Sequence, residues 1–175
     1  MCVSLVAILY GTIYELKKVN QKTILLGVSF ALLDFAEQHK IDLSDIIIME
    51  TGGMKGRRKE LTRVELHRIY KESFGVDYIH SEYGMTELLS QAYSFGNGIY
   101  QTPPWMKVLI RDINDPFERL AHKKTGGVNI IDLANINSCA FISSQDLGKK
   151  NNETTFEILG RFDNSDLRGC NLLID

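Results

Sequence analysis

The chain has 175 residues, 44% hydrophobic and 24% charged, with a formal net charge of -2. That profile fits a soluble globular protein large enough for one good core, and it offers no general attraction to nucleic acid or to an anionic membrane. Three cysteines, Cys2, Cys139 and Cys170, include no C-x-x-C pair, which argues against a disulfide framework or zinc site and makes a reducing cytoplasm the expected setting.

The first run, MCVSLVAILYG, is apolar but lacks a basic leader and an A-x-A-type cleavage site, and it is too short to span a bilayer. It reads as a core strand or the end of a core helix. KTILLGVSF (22–30) reads as a strand running into a turn. SFALLDFAEQHK (29–40) reads as a helix with Phe30, Leu33, Phe35 and Ala36 near one face. DIIIME (45–50) is a second strand whose continuous apolar run suits a parallel sheet covered on both faces. After the glycine-rich ETGGMKGRRKE, Thr62 and Glu65 form a capping box, Leu66, Ile69 and Tyr70 make an apolar stripe, and Gly75 is a helix stop. VDYIH (76–80) is a third short strand.

That alternation predicts a parallel α/β layer over residues 1–100. From 101 to 175 the pattern changes. WMKVLIRDI, GGVNIIDLA, CAFIS and TFEILGRFD read as successive strands, with turns at Asn114-Asp115-Pro116 and Thr125-Gly126-Gly127 and no strong helix between them. A β-rich, mostly antiparallel unit packed on the α/β layer is expected, and the fold class is α/β passing into α+β. Cys139 falls in one of these strands and is expected in the core.

The stretch HSEYGMTEL (80–88) begins where the third strand ends, the place where doubly wound sheets bind ligands. Tyr83 can stack on a flat base, Gly84 permits close backbone approach, the Thr86 hydroxyl can bond a phosphate, and Glu87 can hold Mg²⁺. The plainer alternative is that Ser81 or Thr86 caps a helix through TELLSQAYSF. Two later features bear on the choice. Asp146 stands just before Gly148 after one strand, and Gly160-Arg161 with Asp163 follow another. An aspartate can accept both ribose hydroxyls, and an arginine can pair with a ribose or phosphate oxygen. The four histidines, His39, His67, His80 and His122, have no metal-ligand spacing.

Taken in order, Tyr83-Gly84-Met85-Thr86-Glu87, Asp146-Leu147-Gly148 and Gly160-Arg161-Phe162-Asp163 resemble the core motifs of the adenylate-forming superfamily. ETGGMKGRRKEL and the terminal DNSDLRGCNLL resemble most the LuxE-type acyl-protein synthetases, the long-chain-fatty-acid–luciferin-component ligases, over nearly the whole chain from Lys22 onward. The resemblance implies ATP or AMP and Mg²⁺ as cofactors. Tyr83 would stack on adenine, Thr86 would touch the AMP phosphate, and Glu87 would bind Mg²⁺. Asp146 would hold the ribose with Arg161 nearby, Gly52 and Gly53 would line the pocket, and Cys170 would accept the acyl group. Arg168, two residues from Cys170, can lower its thiol pKa, whereas a small buried apolar role beside Leu172-Leu173 is the alternative.

The chain also departs from the superfamily pattern. No Ser/Thr/Gly-rich phosphate loop ending in lysine precedes these motifs. TGGMKGRRK has that composition but follows the second strand, so Lys55, Arg57 and Arg58 face phosphate or simply line a solvated turn. The usual RYRTGD is FISSQD here, and a lysine-bearing C-terminal lid is absent. The expected activity is AMP-forming fatty-acid activation with transfer to a protein cysteine, as the C-terminal portion of the enzyme. An acyl-CoA reductase and a missing N-terminal half are the expected partners. A phenylacetate-type CoA ligase and a non-catalytic nucleotide- or partner-binding fragment are the alternatives.

Overall fold

The computed structural model describes residues 5–53 and 61–162. Cys2, Lys55, Arg57, Arg58, Asp163, Arg168 and Cys170 lie outside the described residues.

The apolar N-terminal run belongs to a helix, α1 (Leu5–Lys18), and not to a strand. Ile13 is buried on it, with Val6 and Leu9 packed on the same cluster, a spacing that only a helix puts on one side. Lys17 anchors its end by donating to the Asp42 carbonyl at 2.7 Å and pairing with Asp45.

Three parallel strands follow, β1 (Ile24–Val28), β2 (Ile47–Thr51) and β3 (His80–Tyr83), joined through α2 (Ser29–Gln38) and α3 (Arg63–Phe74). α3 has its full capping box: the Thr62 amide donates to Glu65 Oε2 at 2.9 Å, and the Glu65 amide donates to Thr62 Oγ1 at 3.3 Å. Gly75 ends the helix at φ 65°, where a side chain would be strained. Phe30, Leu33, Phe35 and Ala36 of α2 meet Leu66, Tyr70 and Phe74 of α3 over Leu25, Ile48 and Ile79.

Both connecting helices therefore cover one side of the parallel strands, and on the other side the described residues leave β1 and the start of β2 exposed. Ile24 is 60% and Leu26 53% exposed, whereas Leu25 and Ile48 on the opposite side are 9% and 1%. The expectation of a sheet covered on both faces is corrected, because successive right-handed crossovers in one direction lie on one side.

The third strand also begins later than expected, so that HSEY is the strand itself. No helix follows it. Residues 84–91 turn back into β4 (Ala92–Ser94), which pairs antiparallel with β3, because strand pairing captures the residues a helix would need. The remaining strands are β5 (Ile99–Gln101), β6 (Met106–Arg111), β7 (Thr125–Asp132), β8 (Phe141–Lys150) and β9 (Thr155–Arg161). All nine form one sheet in the order β1-β2-β3-β4-β5-β9-β8-β7-β6. A second core lies on it, built from Tyr83, Tyr100, Val108, Ile110, Val128, Ile130 and Phe156.

Two further boundaries differ from the sequence reading. Thr125-Gly126-Gly127 lies inside β7, and the turn falls at 121–124, with Lys123 at φ 66°. A Cβ on Gly126 would sit 2.2 Å from the Arg111 carbonyl oxygen, so this glycine serves close strand approach. Asp146 and Gly160-Arg161 lie within β8 and β9, not after them, because β8 continues through a register shift between Leu147 and Gly148.

Candidate nucleotide site

β2 and β3 are parallel neighbours with Thr51 beside Glu82, so Gly52-Gly53 and Gly84 emerge together at the carboxyl edge of the sheet. Gly52 has φ 68°, a conformation glycine adopts without strain, and a Cβ on Gly53 would meet open space. Below them lies Glu50, 4% exposed in the middle of an apolar strand. Its carboxylate accepts from Ser29 Oγ at 2.9 Å and Ser81 Oγ at 3.0 Å, lies 3.1 Å from His67 Nε2, and has Arg63 Nη1 at 3.8 Å. Burial pushes its pKa up, but the His67 hydrogen bond, Arg63 and Ser29 outweigh burial and leave it below the usual glutamate value. Ser29 Oγ also lies 3.3 Å from the Gly52 carbonyl oxygen, which links this buried cluster to the glycine turn.

Tyr83 closes β3. Its ring is 8% exposed, set edge-on to Phe156 with centroids 5.5 Å apart and tilted against Tyr100. With the ring in the second core, its main polar offering is the hydroxyl, which donates to Asp146 Oδ2 at 2.7 Å. Burial, then the Asp146 carboxylate, pushes the phenol pKa up, so the hydroxyl keeps its proton. Arg161, beside Asp146 in the β8–β9 register, has Nε 3.5 Å from Asp146 Oδ1 and donates through Nη2 to Gln145 Oε1 at 3.3 Å. Tyr83, Asp146 and Arg161, far apart in sequence, thus form one polar junction. The β8 bulge lies directly beside Asp146, and bulges commonly re-aim side chains near sites.

Thr86 and Glu87 are exposed on the loop after β3. The Leu88 amide donates to the Met85 carbonyl at 3.0 Å, which closes a turn with Thr86 and Glu87 at its two corner positions. Cys139 is exposed just before β8, not in the core, and its thiol lies 3.3 Å from the Phe141 carbonyl oxygen. Cys170 lies outside the described residues.

Sequence reasoning missed Glu50 and Asp132. Asp132 is 0% exposed and accepts from the amides of Leu89, Ser90 and Ala134 and from the Ser90 hydroxyl. The available signal was a single carboxylate closing each apolar strand run, IIIME and NIID, since a buried charge requires partners.

No protein family and no curated protein matches the chain by sequence. Solved structures do match by shape. ATP-bound MatB from Rhodopseudomonas palustris superposes with TM-score 0.62 at 16% identity, over 86% of this chain and 33% of its own. O-succinylbenzoate coenzyme A synthetase (MenE) from Bacillus subtilis, in complex with AMP, gives 0.57 at 18% identity, over 87% and 34%. The luciferase-like enzyme of the nonluminescent mealworm Zophobas morio gives 0.57 at 14%, over 87% and 41%. The chain spans about a third of the length of the first two. What these likenesses establish is the fold: the chain has the mixed sheet-and-helix architecture found in part of the adenylate-forming enzymes.

Proposed function

We propose that the chain is the nucleotide-contacting portion of an AMP-forming fatty-acid-activating enzyme of the LuxE acyl-protein synthetase type. The observation that carries the reading is the Tyr83–Asp146–Arg161 junction, in which Tyr83 closes β3 at the edge where the Gly52-Gly53 and Thr86–Glu87 turns leave the parallel strands. Asp146 is held by a neutral hydroxyl and a guanidinium and is still half-buried, so its carboxylate is oriented to accept ribose hydroxyls. Thr86 would reach the AMP phosphate, and the Gly52-Gly53 backbone would line the base and acyl side.

Among the described residues no group of three or more His, Cys, Asp or Glu is placed to hold a metal. Mg²⁺ would therefore rest on Glu87 together with water and phosphate oxygens, a usual arrangement for this ion, and would neutralise phosphate charge when bound. The fatty-acid carboxylate attacks the α-phosphorus of ATP and pyrophosphate leaves. The Cys170 thiolate then attacks the acyl carbonyl, the bond to the phosphate oxygen breaks, and AMP departs. A phosphate-binding loop would come from a further N-terminal part, and the acyl group would pass to an acyl-CoA reductase in the cytoplasm.

A second reading, coenzyme A as acceptor, is favoured by the likeness to O-succinylbenzoate coenzyme A synthetase. One experiment separates the two. The full chain is mixed with synthetic tetradecanoyl-AMP and followed by intact mass. Cysteine transfer gives a hydroxylamine-labile acyl adduct that Cys170→Ser abolishes. No adduct, or an undiminished adduct in Cys170→Ser, overturns cysteine transfer, and tetradecanoyl-CoA formed only when coenzyme A is added establishes the second reading.

A further inference from the structure

The Thr86–Glu87 turn is exposed, yet the residues behind it are fastened to a distant part of the chain. Leu88, at the end of the turn, is 5% exposed in the second core. Asp132 Oδ2 accepts from the Leu89 amide at 3.0 Å and the Ser90 amide at 2.9 Å, while Oδ1 accepts from the Ser90 hydroxyl at 2.6 Å. Asn135 Nδ2 donates directly to the Glu87 carbonyl at 2.8 Å and to the Cys139 carbonyl at 3.0 Å. Trp105 joins the arrangement by donating from Nε1 to Ser90 Oγ at 2.9 Å, and its own carbonyl accepts from the Leu133 amide at 3.0 Å.

We propose that Asp132 and Asn135, on the segment leaving β7, are positioning residues that clamp the Thr86–Glu87 turn so that its hydroxyl and carboxylate are preset for a nucleotide phosphate and its cation. This rests on the nucleotide reading above. Among the described residues no cation pairs with the Asp132 carboxylate, and a buried carboxylate so placed relies on its hydrogen bonds. Asp132 places its bonds on the loop that carries the two candidate phosphate-side groups, and the Asn135 bond falls on Glu87 itself. Preorganised groups of this kind avoid the cost of ordering a loop when the ligand arrives.

Asp132→Asn puts an amide NH₂ against donors that had faced a carboxylate oxygen, and Asn135→Ala removes only the Glu87 and Cys139 bonds. Amide hydrogen exchange on the full chain should speed up roughly tenfold over residues 85–91 in Asp132→Asn, with β8 and β9 unchanged. In calorimetry, the gain in AMP affinity that Mg²⁺ gives the unmodified chain should fall roughly tenfold in both variants, while Mg²⁺-free AMP affinity, which draws on Thr86 alone, should fall by less. Glu87→Gln should reproduce that split. Unchanged exchange over 85–91, or exchange that rises equally across the sheet, overturns the clamp, as does an equal loss of Mg²⁺-free and Mg²⁺-dependent binding. If Asp132→Asn does not fold, the milder Asn135→Ala decides by the same two readouts. An unmodified chain that binds no AMP overturns the nucleotide reading, and the positioning role with it, while the exchange result still reports whether the clamp holds the turn.

Discussion

Tyr83 shows how much of a motif residue's setting is made by distant strands. Its ring lies in the second core, and its hydroxyl spans 63 positions of sequence to hold Asp146. Tyr83→Phe keeps the ring and removes that one donor to a carboxylate, worth about 1.5–3 kcal/mol. AMP affinity should drop about tenfold or more by calorimetry while the far-ultraviolet spectrum stays the same. Glu50 and Asp132 give a pH prediction. Both carboxylates sit below their ordinary values of 4.5 and 3.8 in the folded chain, because hydrogen-bond partners outweigh burial. Their stabilisation is complete above those unfolded values and is lost as pH falls through the lower folded ones. Urea midpoints should fall between about pH 5 and pH 2, and Asp132→Asn should flatten that fall. Tyr83, Asp146 and Arg161 were legible in the sequence as motif members in order. Their mutual bonds were not, since each partner comes from a different strand. The Glu50 cluster was hidden for the same reason: Ser29, His67 and Ser81 lie 21, 17 and 31 positions away.

Elements stabilised by neighbours in sequence were readable; those that depend on distant partners were not. α3 announced itself through Thr62, Glu65 and Gly75 because caps are local chemistry. β4 and β5 have three residues each and exist through pairing with β3 and β9, so composition could not mark them. The glycines of β7 misled for a related reason, since a turn glycine and a close-approach glycine look alike in sequence. Gly126→Ala distinguishes the two roles. With a Cβ 2.2 Å from backbone, the substitution should destabilise the chain by about 1–3 kcal/mol or more in urea unfolding. A turn glycine with free space, such as Gly53, should tolerate alanine with little change. Arg111 strengthens the same region, donating to Val128 O, Asn129 Oδ1 and Ser144 O across the β7 irregularity.

On the scale of the whole molecule, one continuous sheet carries a buried side and, at β1 and the start of β2, an opposite side that the described residues leave exposed. The apolar run IIIME announced a parallel strand, yet only Ile48 and Glu50 of β2 are buried, since an apolar run cannot say whether both faces are covered. Leu26→Asn on the open side should change stability by less than about 0.5 kcal/mol, since the side chain is already 53% exposed. The same unfolding measurement on Ile48→Asn, 1% exposed, should show a loss of several kcal/mol. No helix among the described residues is long and apolar enough to cross a membrane. The fold class was legible from the change in periodicity near residue 100. The proposed function rests on the Tyr83–Asp146–Arg161 junction, and it is tested most directly by titrating AMP with Mg²⁺ into the full chain and into Asp146→Ala by isothermal calorimetry. The account predicts saturable one-to-one binding to the unmodified chain and a loss of at least about tenfold in Asp146→Ala. Absence of binding, or equal binding by the two proteins, would contradict it.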